Sequence, residues 1–266
     1  MKKHKKIIAS IIVANFNNAK FLDECLRSIF SQTFKSYEII VVDDNSKDNS
    51  IEILNKYKKK IFIIQNKKKT KYGSFNQINS YYKGFLRSKG TFIFFLDSDD
   101  YFKKDKLKSV IKTFQREKKQ KLIFDLPILK YKNDCVKNTF KQKFFFISNW
   151  PRFSPQSCIS VRKDYADELF TNLRIKKFDK IWFDFRIAAY TFLMCKKIFI
   201  YNKYLTYYRQ HQSSESQKFK SLTKNWWIRR NQAHNFIRFL SKKKRLKNQF
   251  SIDGIITKIV NLFIHD

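Results

Sequence analysis

Residues Phe92 to Asp100 read FIFFLDSDD, an apolar run rich in β-formers that breaks off into three carboxylates, Asp97, Asp99 and Asp100. Acids bunched at the end of a buried strand are poorly neutralised by solvent, and in a chain of formal net charge +35 they call for a reason. A divalent cation supplies one, because Mg²⁺ and Mn²⁺ take hard oxygen ligands and bridge carboxylate to substrate phosphate. The competing reading is a strand followed by an acidic turn. Two more polar clusters bear on the choice. The apolar run Lys6 to Ala14 ends at Asn15-Phe16-Asn17, and Glu38 to Val42 ends at Asp43-Asp44-Asn45-Ser46.

These clusters can act together only if strands deliver them to one edge. Phe21, Leu22, Cys25, Leu26 and Ile29 fall at helical spacing after Asn18, a predicted N-cap. Ile51 to Tyr57 continues as a helix, Ile61 to Ile64 as a strand, and Asn79 to Leu86 as a helix before the acidic strand. Strand–helix–strand alternation implies an α/β fold with a mostly parallel central sheet and helices on both faces. Ligands of such sheets bind outside the carboxyl ends of the strands, so the clusters should share a cleft. Gly73, Gly84 and Gly90 precede the acidic strand and predict turns or close backbone approach there.

Composition narrows the classes. At 43% hydrophobic and 17% aromatic, the chain can bury a sizeable core. Cys25, Cys135, Cys158 and Cys195 form no CxxC pair, which favours reduced thiols in a cytosolic protein over a disulfide frame or zinc site. Ile7 to Val13 is too short for a signal-peptide core, and no later stretch approaches the ~18 apolar residues of a membrane span. Lys and Arg number 57 against 22 acids, which invites a nucleic-acid reading. Yet Lys, Ile, Phe, Tyr and Asn are abundant where Gly, Pro and Ala are scarce, a skew that AT-rich codons would impose. No specific nucleic-acid partner is therefore expected. An anionic membrane surface, attracted by basic residues, is the better expectation.

Beyond Asp105 the pattern predicts strands at Ile123 to Tyr131 and Phe144 to Ile147, a loop through Trp150, Pro151 and Pro155, and a helix over Asp179 to Met194. Ile198 to Tyr208 reads as an aromatic strand ending in Tyr208-Arg209-Gln210-His211. The remainder is basic. Trp226 to Leu240 and Ile252 to Phe263 carry apolar residues at helical spacing, and two readings are open: helices packed on the core, or a basic amphipathic helix on a bilayer.

Taken in order, IIVANFNNAKFLDECLRSIFSQTFKSYEIIVVDDNS, KGTFIFFLDSDDYF, Asp184 and YYRQH resemble the family 2 glycosyltransferases. The resemblance runs from Ile7 to His211. It implies a GT-A, Rossmann-like fold over residues 1–211, with 212–266 as a basic helical extension. It implies a metal-dependent, inverting transfer of sugar from a nucleotide donor, UDP-linked in expectation, to a glycan or lipid-linked acceptor in surface-polysaccharide or lipid-linked glycan assembly. The place of action would be the cytoplasm, peripheral at the inner face of the plasma membrane. By the same resemblance Ala14, Asn15, Phe16, Asp43, Asp44 and Asp97 contact the nucleotide, and Asp44 is placed to accept from a uracil N3–H, as an ionised carboxylate only accepts. Asp99 and His211 would hold Mn²⁺ or Mg²⁺, although a lone His is more often structural, and the alternative role for Asp43 is to cap the next helix. Asp184 resembles the catalytic base, with Asp179 its rival.

The chain departs from the family pattern in several places. Phe183 stands where the family has Glu, Tyr81-Tyr82 where it has Arg-Asn, Phe16 for Tyr, and Ala14 for Thr or Pro. Lys71 is the suggested stand-in for the missing Arg. These differences keep open a second reading, a catalytically lapsed sugar-nucleotide-binding protein. A nucleotidyltransferase is disfavoured because no Gly-rich loop follows the first strand.

Overall fold

In the computed structural model, which describes residues 6–67, 70, 73–138, 150–212, 214, 218–246 and 251–264, the apolar runs form strands β1 (Ala9–Asn15), β2 (Tyr37–Asp43), β3 (Phe62–Gln65) and β4 (Phe92–Asp97). They lie side by side in the order β3–β2–β1–β4, all parallel. Register brings their polar ends level: Asn15 stands opposite Asp43, and Ala14 opposite Asp97. Side chains alternate across a strand, so Ile11, Val13 and Phe94 enter one apolar layer while Ile12 and Phe95 enter the other. Burial on both faces explains why these strands read as continuous apolar runs.

From β4 onward the sheet turns mixed. β5 (Tyr101–Phe102), β6 (Leu122–Lys130), β7 (Cys135–Lys137), β8 (Ile159–Arg162) and β9 (Ile200–Arg209) complete it. β8 pairs antiparallel with both β4 and β6, and β9 runs parallel to β6 and antiparallel to β5. The parallel character expected from sequence thus holds for the first four strands. The segment from β6 to β8 returns without a crossover helix among its described residues, which makes that pairing antiparallel. The stretch 144–147, expected to be a strand, lies outside the described residues.

Helices cover both faces. α1 (Ala19–Phe30), α2 (Ser50–Lys56) and α4 (Lys106–Arg116) pack on one layer. α3 (Gly73–Arg87), α5 (Lys163–Leu173), α6 (Phe183–Cys195) and α7 (Lys224–Lys243) pack on the other. Ala233, Phe236, Ile237 and Leu240 of α7 are buried in the same layer as α6, and burying each large side chain contributes ~1.5–3 kcal/mol. α8 (Ile252–Leu262) lies against α7. No helix among the described residues is long and apolar enough to cross a membrane.

Two local details position the site. A Cβ on Gly84 would collide with Ile12, so the missing side chain lets α3 lie close on β1. Asn18 occupies the N-cap position of α1, but its side chain makes no cap hydrogen bond and donates instead to Ser98 Oγ at 3.0 Å. The backbone N–H of Ala19 is satisfied by Asp48 Oδ2 at 2.8 Å. The cap expected from α1 itself therefore comes from the loop after β2, which ties the two segments together.

Candidate active site

The strand ends open into a cleft of about 870 Å³. Ala14, Asn15, Phe16, Asp44, Asp97, Asp99, Asp184 and His211 all line it. These are eight of the nine residues singled out from sequence. The ninth, Asp43, does not line it. Successive side chains of an extended chain point to opposite sides, and Asp43 turns inward where Asp44 turns out. Its Oδ1 accepts from Asn15 Nδ2 at 2.7 Å and Ser46 Oγ at 2.6 Å, and its Oδ2 accepts from Ser46 N at 3.0 Å. Nor does it cap α2, where Asp48 Oδ1 accepts from Ser50 N at 3.0 Å. Asp43 is buried and orders the loop that carries Asp44.

Asp44 is held by a second chain of contacts. Asn66, following β3, donates from Nδ2 to Asp44 Oδ1 at 2.9 Å, and Lys83 on α3 donates to Asn66 Oδ1 at 2.6 Å. Asn17 and Asn45 both take positive φ, which Asn tolerates better than most residues and which folds the two loops around the strand ends. Phe16 projects beside them, 42% exposed.

The acids after β4 divide their tasks. Asp97 Oδ1 accepts from Gln77 Nε2 and from Tyr81 Oη, each at 2.7 Å. Burial, then the charge of Asp99, pushes the Asp97 carboxyl up to about 7. Asp100 points away from the cleft. Its Oδ2 accepts from Ser157 Oγ at 2.5 Å and its Oδ1 from Arg209 N at 2.8 Å. Beneath it, the fully buried Lys106 ammonium meets Asp125 Oδ2 at 2.8 Å and donates to Ser157 O and Thr206 Oγ1, each at 2.6 Å. That buried pair fixes Ser157, which also accepts from Asp97 N at 3.0 Å, so the acidic turn rests on an internal ionic support.

Asp99 faces the cleft, with its Oδ2 2.8 Å from His211 Nε2. The His211 ring packs on Phe21 at 4.9 Å, and Arg209 donates to the Asp99 carbonyl at 2.7 Å while stacking over Phe21 at 4.6 Å. The donor atoms of Asp99 and His211 are as close as neighbouring ligands of one octahedral cation would be at about 2.0–2.1 Å from each. An oxygen and an imidazole nitrogen also suit Mn²⁺. Among the described residues no group of three or more His, Cys, Asp and Glu gathers at one point. The pair would supply at most two ligands to such a cation.

Asp184 lies across the cleft in the first turn of α6, its Oδ1 accepting from Phe185 N at 2.7 Å. Burial pushes its carboxyl up to about 7, a rise that Asp97 reinforces and Arg229 opposes. Fully buried Arg186 steadies the approach to α6 by donating to the carbonyls of Leu173 at 2.6 Å, Ile175 at 3.1 Å and Phe178. Asp179, the rival for the base, is not part of the cleft lining, and its Oδ1 accepts from Gln232 of α7 at 3.2 Å. Phe183 is buried against Tyr81, Phe95 and Phe170.

Sequence reasoning missed several residues in or behind the cleft, and it noted Tyr81 only as a departure from the family pattern. Gln77 and Tyr81 stand one helical turn apart on α3, where buried polar side chains look like solvent-facing ones. Arg229 donates to Ser74 Oγ at 2.9 Å and stacks on Trp182 and Phe219, and Arg230 stacks on Trp150 and Trp226. No local pattern announces that wall, whose members come from four separated segments. Lys71 lies outside the described residues.

Comparison with known proteins adds the following. The family model described as Glycosyl transferase family 2 matches residues 10–181. The chain is 27% identical over 228 residues to an uncharacterized glycosyltransferase of Nostoc sp., a match covering 80% of this chain and 68% of that one. It is 39% identical over 103 residues to a poly(ribitol-phosphate) beta-glucosyltransferase of Bacillus spizizenii, covering 35% of this chain but 15% of that longer protein. Its fold is similar to that of S. aureus TarS solved in complex with UDP, with TM-score 0.60 and 18% identity, covering 86% of this chain and 65% of that one. The chain is also 34% identical over 120 residues to the UDP-Glc:alpha-D-GlcNAc-diphosphoundecaprenol beta-1,3-glucosyltransferase WfaP of Escherichia coli, covering 42% of this chain and 43% of that one.

Proposed function

This chain belongs to glycosyl transferase family 2, and we propose that it is an inverting, metal-dependent enzyme moving a sugar from a UDP-linked donor to a hydroxyl of a surface-polysaccharide or lipid-linked acceptor. The observation that carries the proposal is the meeting of Asp44, Asp97, Asp99 and Asp184, borne on three separated segments, in one cleft. UDP is the donor carrier of choice because the fold is similar to that of a protein solved with UDP, and because Asp44, steadied by Asn66, suits a uracil N3–H. Phe16 would stack on the base, Ala14 and Asn15 would border the nucleoside, and Asp97, oriented by Gln77 and Tyr81, would meet the ribose. Asp43 would act through Asn15 and Ser46 rather than by touching the nucleotide.

Asp99 and His211 would hold Mn²⁺ or Mg²⁺, whose charge stabilises a departing nucleoside diphosphate. Asp184 would remove the proton of the acceptor hydroxyl as its oxygen attacks the anomeric carbon from the face opposite the diphosphate. A carboxyl raised to about 7 has a basicity matched to that task near neutral pH. Trp150, Trp182 and Trp226, which line the cleft, would border the acceptor. The place of action would be the cytoplasmic face of the membrane that carries lipid-linked acceptors.

The test is release of UDP from a panel of UDP-sugars, measured with Mn²⁺ and with EDTA. Release with at least one donor, lost on chelation, is expected. Failure of every donor, or release unaffected by EDTA, would overturn the reading.

A further inference from the structure

Helix α8 carries its amphipathicity turned outward. Ile252, Ile255, Ile256, Ile259, Leu262 and Phe263 form a stripe at i, i+3, i+4, i+7 spacing, and each is exposed, from 49% at Ile256 to 79% at Phe263. A helix of a water-soluble domain ordinarily hides such a stripe. Here the polar face is the one that docks. Ser251 caps the helix by accepting from Gly254 N at 3.1 Å. Asp253 accepts from Arg230 Nε at 3.0 Å and lies 3.4 Å from His234 Nε2. Thr257 is buried, and Asn261 donates to the Trp227 carbonyl at 3.1 Å. These contacts set the rotation of α8 on α7, so the stripe is held facing away from the protein.

A contiguous exposed apolar face marks a surface that meets something apolar. Charge selects among the occupants. Two copies of a chain carrying +35 repel each other, whereas an anionic bilayer attracts it. Lys258 on α8 is exposed, as are Lys242, Lys243 and Arg245 at the C-terminal end of α7. An apolar stripe with an exposed lysine beside it, on a chain this basic, is the composition of a helix that lies in the interfacial plane. We infer that α8 is an in-plane anchor that seats the protein on an anionic lipid bilayer, through the stripe from Ile252 to Phe263. Position adds a purpose. Arg230, which holds α8, also lines the cleft, so the anchored face lies one helix away from the place where a lipid-borne acceptor must enter. The inference deepens the membrane-side placement proposed above and rests on it.

The experiment is co-sedimentation of the full chain with vesicles of equal parts phosphatidylcholine and phosphatidylglycerol, and with phosphatidylcholine alone. The variant is the triple substitution Ile255→Asn, Ile259→Asn and Leu262→Asn, at exposed positions outside the cleft. Wild type should partition onto the anionic vesicles about tenfold or more above the variant, less onto the neutral ones, and less as salt rises. Equal partition of the two proteins, or none by wild type, would overturn the inference. So would concentration-dependent dimerisation of wild type that the variant loses, because a second copy would then own the stripe. Calorimetric titration with UDP and Mn²⁺ accompanies both proteins and should give the same affinity, which shows that the variant is folded. Loss of UDP binding in both with the vesicle difference intact would sink the enzymatic reading and leave the anchor standing.

Discussion

The two walls of the cleft are assembled differently. On the side of β1, β2 and β4, acids and amides sit at the ends of parallel strands and are cross-bonded in pairs, Asn15 to Asp43, Asp44 to Asn66 and Asp97 to Tyr81. On the side of α6 and α7 the wall is made of stacked rings and guanidinium groups, with Arg229 over Trp182 at 4.3 Å and Arg230 over Trp226 at 4.8 Å. Register fixes the first wall, so its geometry follows from the sheet. The second depends on packing between segments distant in sequence, and the carboxylate it presents to the cleft is Asp184. In the proposed reaction the first wall would take the donor, with its fixed hydrogen-bonding groups, and the second the acceptor.

The largest effect should come from the second wall's carboxylate. Asp184→Asn is expected to lower turnover by ~10²–10⁴-fold with UDP affinity nearly unchanged, and equal loss of both would make Asp184 structural. Because burial raises this acid to about 7, its ionised, proton-accepting form is depleted below that pH. The rate of transfer should therefore fall as pH drops through about 7, a profile that the Asn variant should not retain. Stability should move the other way: a carboxyl whose folded pKa exceeds its unfolded value opposes folding once ionised, so the Asn variant should unfold no more easily at pH 8.

Next comes the support under the first wall. Lys106→Met would leave Asp125 buried without its partner, and the expected cost is ~3–5 kcal/mol in urea unfolding. Replacing Asp125 by Leu in the same chain should recover much of it. A variant as stable as wild type would show that the acidic turn does not rely on the buried pair. The smallest effect is expected at a single stack. Trp226→Ala should weaken the hold on Arg230 by ~0.5–1 kcal/mol, raise the acceptor KM and leave UDP binding alone. A change in UDP affinity instead would erase the assignment of the two walls to two substrates.

The first wall was legible in the sequence because strands buried on both faces announce themselves as apolar runs, and their polar ends stand out against them. Parallel pairing then made convergence of Asn15, Asp44, Asp97 and Asp99 a consequence of topology. Legibility failed where alternation along the chain mattered: Asp43 and Asp44 are neighbours of one type, yet only Asp44 faces the cleft. It failed again on α3, where Gln77 and Tyr81 serve Asp97 and polar residues such as Ser74, Asn76 and Ser80 are buried although nothing in the sequence sets them apart from the exposed Lys83 and Arg87. Of the second wall only Asp184 was legible, and through the family resemblance rather than any local pattern. Trp150, Trp182, Trp226 and Arg229 are ordinary residues until the mixed half of the sheet folds α6 and α7 over the strand ends. Ile252 to Phe263 showed its stripe in sequence, but only the polar contacts of Asp253, Thr257 and Asn261 reveal that the stripe faces outward.

Calorimetric titration of UDP in the presence of Mn²⁺, comparing wild type with Asp99→Ala, tests the cleft most directly. Wild type is expected to bind, with the heat lost when EDTA replaces Mn²⁺, and Asp99→Ala is expected to bind at least about tenfold more weakly, since a direct metal ligand has been removed. No binding by wild type, or undiminished binding by Asp99→Ala, would contradict a donor site built on these strand ends.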